Sequence, residues 1–187
     1  MKHNFYFLLL LIFPLAVKAQ IPQAVSAKTN IYLVRHAEKE IGSDPVLTAN
    51  GNKRAGDLMR YLKGKNIKRI YVTQFKRTQM TGDSLRIQLG IDTVHYQASE
   101  NGIDLFNKIA AHGDFNTTIL IIGHSNTVPD HIKKAGVANY PVTDIPDAEF
   151  DNIYKVYYRR PFFFSRFKAK VKKGKYGMPS ASSATMQ

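Results

Sequence analysis

The stretch "TTILIIGHSN", Thr117 to Asn126, decides how this chain is read. Its centre is apolar without interruption, as a strand covered on both faces must be, whereas a strand with one wet face would alternate. It then stops abruptly on His124, Ser125 and Asn126, side chains with no place in a core. A buried strand that opens onto polar chemistry is the pattern to look for elsewhere.

Working outward, the pattern recurs. "IYLV", residues 31 to 34, is a strand that ends on Arg35 and His36, and "RIYVTQ", residues 69 to 74, is another that yields Thr73 and, four residues later, Arg77. Amphipathic segments lie between them. Thr48 is a plausible N-cap for a helix in which Ala55, Leu58, Met59 and Leu62 recur at helical spacing, stopped near Lys63-Gly64. Helices are further expected from about Lys76 to Leu89, stopped by Gly90, from Ile103 to Ala111, closed by His112-Gly113, and from Val128 to Ala135. "DTVHYQ", residues 92 to 97, reads as a short strand. Residues 141 to 150 read as a loop, after which "NIYKVYYR" and "FSRFKAKVKK" alternate as two strands of an antiparallel hairpin. The expected fold is α/β: three layers, with a mainly parallel central sheet between helices and a C-terminal antiparallel hairpin at its edge.

The N-terminus reads as an export signal. Lys2 gives a basic start, Phe5 to Val17 is apolar but interrupted by Pro14, and Val17-Lys18-Ala19 offers a cleavage site. The run is shorter than the about 20 residues a membrane span needs. Residues 1–19 are therefore expected to be a signal peptide, residues 20–176 one domain and residues 177–187 a disordered tail. The protein is expected to be exported, to a periplasmic or extracellular location. It contains no cysteine, so disulfides and thiolate metal sites are excluded.

The net charge of +13 is unevenly distributed. Residues 159 to 187 hold eight Lys and Arg and no Asp or Glu; taking these and Lys2 and Lys18 away leaves +3 for residues 20 to 158. No nucleic-acid partner is expected from so mildly basic a body. The basic C-terminal region could make weak contact with anionic surfaces, or its lysines could simply keep an exposed hairpin soluble.

The C-terminal ends of strands in an open parallel sheet line one crevice. Two arginines and two histidines would meet there. Arginine is a permanently charged fork that donates two hydrogen bonds to phosphate oxygens, and histidine supplies a nitrogen nucleophile at neutral pH. Ser125, preceding a helix, adds a hydroxyl donor. This set suits phosphoryl transfer.

"LVRHAEK", "LTANGNKRA", "VTQFKRTQMT" and "IIGHSNTVP" together resemble, in order and spacing, the histidine phosphatase superfamily, which includes phosphoglycerate mutases and phosphohistidine phosphatases. The resemblance covers roughly residues 30 to 129. It implies that His36 is the nucleophile that becomes phosphorylated, that Arg35 and Arg77 grip the phosphate, and that His124 contacts the phosphoryl group. It implies no metal and no cofactor, and a small phosphorylated substrate. Glu100 is the first candidate for the general acid and Asp104 the second. The expected activity is a phosphohydrolase that passes the phosphoryl group of a phosphomonoester to His36 and then to water. A phosphohistidine phosphatase, or a phosphate-binding module with little turnover, are the alternatives. Glu38 could orient the site or face solvent, and specificity is expected in the loops 40 to 47, 97 to 104 and 139 to 150.

Overall fold

A computed structural model describes residues 25–99, 101–161 and 166–180. The expected signal peptide and residues 181–187 lie outside these, as does Glu100. In chain order the elements are β1 (Asn30–Arg35), α1 (Ala49–Leu62), β2 (Ile67–Thr73), α2 (Lys76–Leu89), β3 (Thr93–Tyr96), α3 (Ile103–Ala111), a 3₁₀ turn (Asp114–Asn116), β4 (Thr118–Gly123), α4 (Thr127–Lys134), β5 (Asn152–Arg159) and β6 (Lys168–Lys175).

The six strands form one sheet in the order β3-β2-β4-β1-β5-β6. The first four are parallel to one another, β5 runs antiparallel to β1, and β6 runs antiparallel to β5. The α/β architecture is thus the one expected, with its antiparallel hairpin at the edge. β4 lies near the middle, and Ile119, Leu120, Ile121 and Ile122 are all fully buried. Burying each such side chain stabilises the fold by about 2 kcal/mol.

Successive strand residues point to opposite faces, so two cores form. On one face Tyr32, Val34, Val72 and Ile122 pack against Leu58 and Leu62 of α1 and Leu85 of α2. On the other, Ile31, Leu33, Tyr71 and Ile121 meet Leu105 and Ile109 of α3 and Val128 and Ile132 of α4. Thr48 caps α1 by accepting a hydrogen bond from Gly51 N at 3.0 Å, and Gly90, at φ +61°, closes α2.

Two boundaries differ from expectation. The last strand begins at Lys168, later than the sequence suggests, and runs on to Lys175 because it must match the eight residues of β5. The tail expected from Gly177 is packed at its start. Met178 O accepts from Arg54, and Ser180, buried, donates its N–H to Asp151 and accepts from Phe150 N and Asp151 N. Polar side chains hold these four residues down, where an argument from small, polar composition expects none to stay.

Candidate active site

Arg35 closes β1 and pairs in register with Gly123, the last residue of β4. His36 N donates to Gly123 O at 3.0 Å, extending the ladder by one bond. The ends of β1 and β4 are therefore fixed side by side, and the imidazoles of His36 and His124 meet edge to face with their centroids 5.4 Å apart. β2 lies on the far side of β4, and its last residue, Thr73, reaches His124 Nε2 through its hydroxyl at 3.3 Å. Arg77, the second residue of α2, places a guanidinium nitrogen 3.5 Å from His124 Nδ1. The structure thus brings together Arg35, His36, Arg77 and His124, which are far apart in the sequence.

His36 is 4% exposed, and its Nδ1 lies 2.8 Å from the carbonyl oxygen of Ala37. A carbonyl only accepts, so Nδ1 carries the proton and the lone pair sits on Nε2. Burial pushes the His36 pKa down to about 3, and the positive neighbours Arg35 and Arg77 push the same way, against the hydrogen bond to Ala37. Burial likewise pushes His124 down to about 4, with Arg77 and Arg35 adding to it. Both rings are neutral at pH 7. A neutral imidazole with a free Nε2 is a nucleophile without further activation.

The arginines are positioned from behind. Arg35 donates through one terminal nitrogen to the carbonyls of Pro146 and Asp147, both at 3.0 Å, and stacks over the Phe150 ring at 4.3 Å. Its contact with the Asp147 carboxylate, at 3.4 Å, is to a fully exposed side chain and is worth little. Arg77 lies over Phe75 at 4.2 Å, with Asp44 at 3.9 Å. The Nε of each arginine is buried with no hydrogen-bond partner among the described residues. A buried donor left unpaired costs free energy, and more so on a charged group, so both call for an acceptor with several oxygens. Burial lowers the pKa of both arginines, which remain charged at neutral pH.

Thr81 completes the frame. Its hydroxyl donates to Arg77 O at 2.7 Å and accepts from Ala37 N at 2.9 Å, tying the residue after His36 to the turn that carries Arg77. No sequence signal marks Thr81, Phe75 or Phe150 for these duties.

Ser125 is half-buried, and its carbonyl accepts from Ile145 N at 3.1 Å, holding the 141–150 loop over the crevice. Asn126 accepts from Thr127 N and caps α4. Glu38 is only partly exposed. It makes a bidentate pair with Arg54 at 2.7 to 2.9 Å, and Arg54 also donates to Met178 O. A Cβ on Gly51 would lie 2.1 Å from Glu38 O, so this glycine is needed for α1 to approach the strand end. Asp104 is engaged elsewhere, accepting from Gln97 N at 2.8 Å and pairing with Lys108 at 3.0 Å. The hydrogen bond from Gln97 and the nearby lysine lower its pKa. Asp104, the second acid candidate, is thus held in an ion pair beside the end of β3. His131 is buried against Tyr96 and Phe106 with neither nitrogen bonded, a core group and no ligand partner for His124.

A cavity of about 600 Å³ opens beside His124, lined by Ala98, Ser99, Asn101, Asn126 and Thr127. It joins the crevice to the loop 97 to 104, large enough for a small phosphorylated molecule.

The sequence profile of the histidine phosphatase superfamily, branch 1, matches residues 31–101, which contain Arg35, His36 and Arg77. Over that segment the chain is similar to the histidine phosphatase superfamily. Solved structures share the fold of the chain. The candidate phosphohistidine phosphatase SixA of Agrobacterium tumefaciens aligns with a TM-score of 0.56 at 18% identity, over 82% of this chain and all of its own. Its counterpart from Nakamurella multipartitia aligns at 0.57 and 17%, over 82% of this chain and 97% of its own. A mycobacterial glucosyl-3-phosphoglycerate phosphatase, solved with inorganic phosphate, aligns at 0.55 and 11%, over 77% and 95%. Among curated proteins, none matches by sequence.

Proposed function

We propose that the protein is an exported phosphohydrolase that hydrolyses a small phosphomonoester through a phosphohistidine at His36, without metal. The observation that carries this reading is the neutral His36, its Nδ1 proton fixed by Ala37 O, beside two buried arginines with unpaired Nε donors. The Nε2 lone pair attacks phosphorus, the phosphorus–oxygen bond to the leaving group breaks, and a proton passes to that oxygen. Water then attacks the phosphohistidine, the nitrogen–phosphorus bond breaks, and phosphate leaves with His36 neutral again. Arg35 and Arg77 offset the charge on the equatorial oxygens in both steps. A phosphoryl dianion beside His124 opposes the burial that keeps this ring neutral, so His124 takes up a proton on binding and donates it to a phosphoryl oxygen.

The acid is assigned to Glu100, which in the sequence follows Ser99 and precedes Asn101, two residues that line the cavity. The second reading, a phosphohistidine phosphatase, is favoured by the engagement of Asp104 with Gln97 and Lys108. A phosphoramidate leaving group needs less help from an acid than an alkoxide. The two SixA structures bear names that point the same way.

The test is turnover of p-nitrophenyl phosphate, of glycerol 2-phosphate and of a phosphohistidine peptide by the mature protein and its His36→Ala and Glu100→Gln variants. His36→Ala should lose all measurable turnover, and rapid quenching of the parent should trap an acid-labile, base-stable phosphoprotein. Equal turnover by parent and His36→Ala sinks the mechanism. Loss of glycerol 2-phosphate hydrolysis in Glu100→Gln, with retained p-nitrophenyl phosphate and phosphohistidine hydrolysis, assigns the acid.

A further inference from the structure

The strand register sorts the basic residues of the C-terminal hairpin by face. Lys155 stands opposite Lys172, Tyr157 opposite Lys170, and Arg159 opposite Lys168. Directly opposed residues share a face, so one side of this two-stranded ribbon carries five cations around a single tyrosine. The hairpin's carboxylate partners lie on the other side: Glu149 and Asp151 are taken by Lys173 and Lys175. Like charges directly opposed destabilise a sheet, and here two such pairs flank the Tyr157–Lys170 pair. Keeping an edge soluble requires lysines on β6 alone. The row continues onto β5, which is an inner strand.

We propose that this face docks the protein on a bilayer rich in anionic phospholipid. Lys155 is half-buried, and Arg159, Lys168, Lys170 and Lys172 are exposed. They flank an open bay of about 790 Å³ whose lining includes Asn30, Lys155, Arg159, Arg160 and Lys172, room for phosphate headgroups. A single-stranded nucleic acid would need free aromatic rings for its bases to stack on. Among the described residues of this face, the rings of Tyr157 and Tyr32 are already covered by the chain's own cations, Arg159 at 5.4 Å and Lys155 at 5.6 Å. Lysine ammonium groups arrayed on a strand face instead suit a sheet of headgroups, which asks for charge rather than shape. β5 runs antiparallel to β1, so Arg159 lies at the end of the sheet away from Arg35 and His36. Docking there leaves the crevice open.

The experiment is co-sedimentation of the mature protein with vesicles of phosphatidylcholine alone or mixed with phosphatidylglycerol. Binding should require phosphatidylglycerol and fall as salt is raised. Lys170→Glu with Lys172→Glu should weaken it by about tenfold or more. Lys133→Glu with Lys134→Glu, an equal charge change on α4, should leave it in place. Thermal melting and p-nitrophenyl phosphate turnover check that each variant is folded, and Lys155→Gln with Lys172→Gln gives the same test without added acids. The proposal is overturned by absence of binding to the anionic vesicles, by equal loss in the hairpin and α4 variants, or by tighter binding of a single-stranded oligonucleotide at the same salt.

Discussion

Arg35 and Arg54 are buried alike, at 7% and 5% exposure, and lie close to the same strand end, yet their surroundings drive them in opposite directions. Burial lowers the pKa of both. In Arg54 the hydrogen bonds and charge of Glu38 more than reverse it, whereas in Arg35 the exposed Asp147 does not. Arg54 spends its donors on Glu38 and Met178 O. Arg35 is anchored by carbonyls on one nitrogen and keeps a buried Nε unspent. A satisfied buried arginine holds the fold together, and an unsatisfied one waits for a ligand.

The strongest way to break this contrast is to remove each arginine in turn. Arg35→Ala should lower kcat/KM for p-nitrophenyl phosphate by about 10³-fold while leaving the melting temperature unchanged or raised, since it removes an unpaired donor. Arg54→Ala should do the reverse. It strands the Glu38 carboxylate and should cost about 3 kcal/mol in urea unfolding, with kcat per folded molecule retained. Matching losses of activity and stability in both variants would erase the distinction.

His131 sharpens it from a third side, being fully buried with neither nitrogen bonded among the described residues. Burial holds it near pKa 4, below the ordinary 6.5. The unfolded chain therefore binds a proton across the interval that the folded chain does not, and stability rises with pH from about 4 to 6.5 and is full above it. Acidification from pH 7 to about 5 should cost about 2 kcal/mol through this residue, and His131→Leu should flatten that part of a melting-temperature profile. His36 and His124, depressed for the same reason, give the slope that remains. The smallest effect is expected at Asp104, a half-exposed carboxylate: Asp104→Asn should cost under about 1 kcal/mol and change turnover less than about twofold. A large loss of turnover would restore Asp104 as the acid.

The frame of the site was legible because it is written in short range. An apolar run followed by Arg-His or Gly-His needs only the rule that parallel strands end in a common crevice, and Arg35, His36, Arg77 and His124 do meet there. Helices α2 and α3 were readable to the residue because Gly90 and His112-Gly113 stop them. The Glu38–Arg54 pair was not readable. The partners lie on different elements and meet only because Gly51 lets α1 come within contact of the strand end. The engagement of Asp104 by Gln97 N depends on where β3 finishes, which alternation over four residues does not fix.

Thr81 looks like an ordinary buried threonine in a helix, yet its one hydroxyl sits between the peptide after His36 and the carbonyl of Arg77. The proton position on the nucleophile and the placing of a phosphate grip thus hang on the same oxygen atom. For anyone trying to evolve this enzyme toward new substrates, the walls of the cavity beside His124 are open to change. The hydroxyl of Thr81 is not, and a library that treats it as filler will discard turnover without ever touching the pocket.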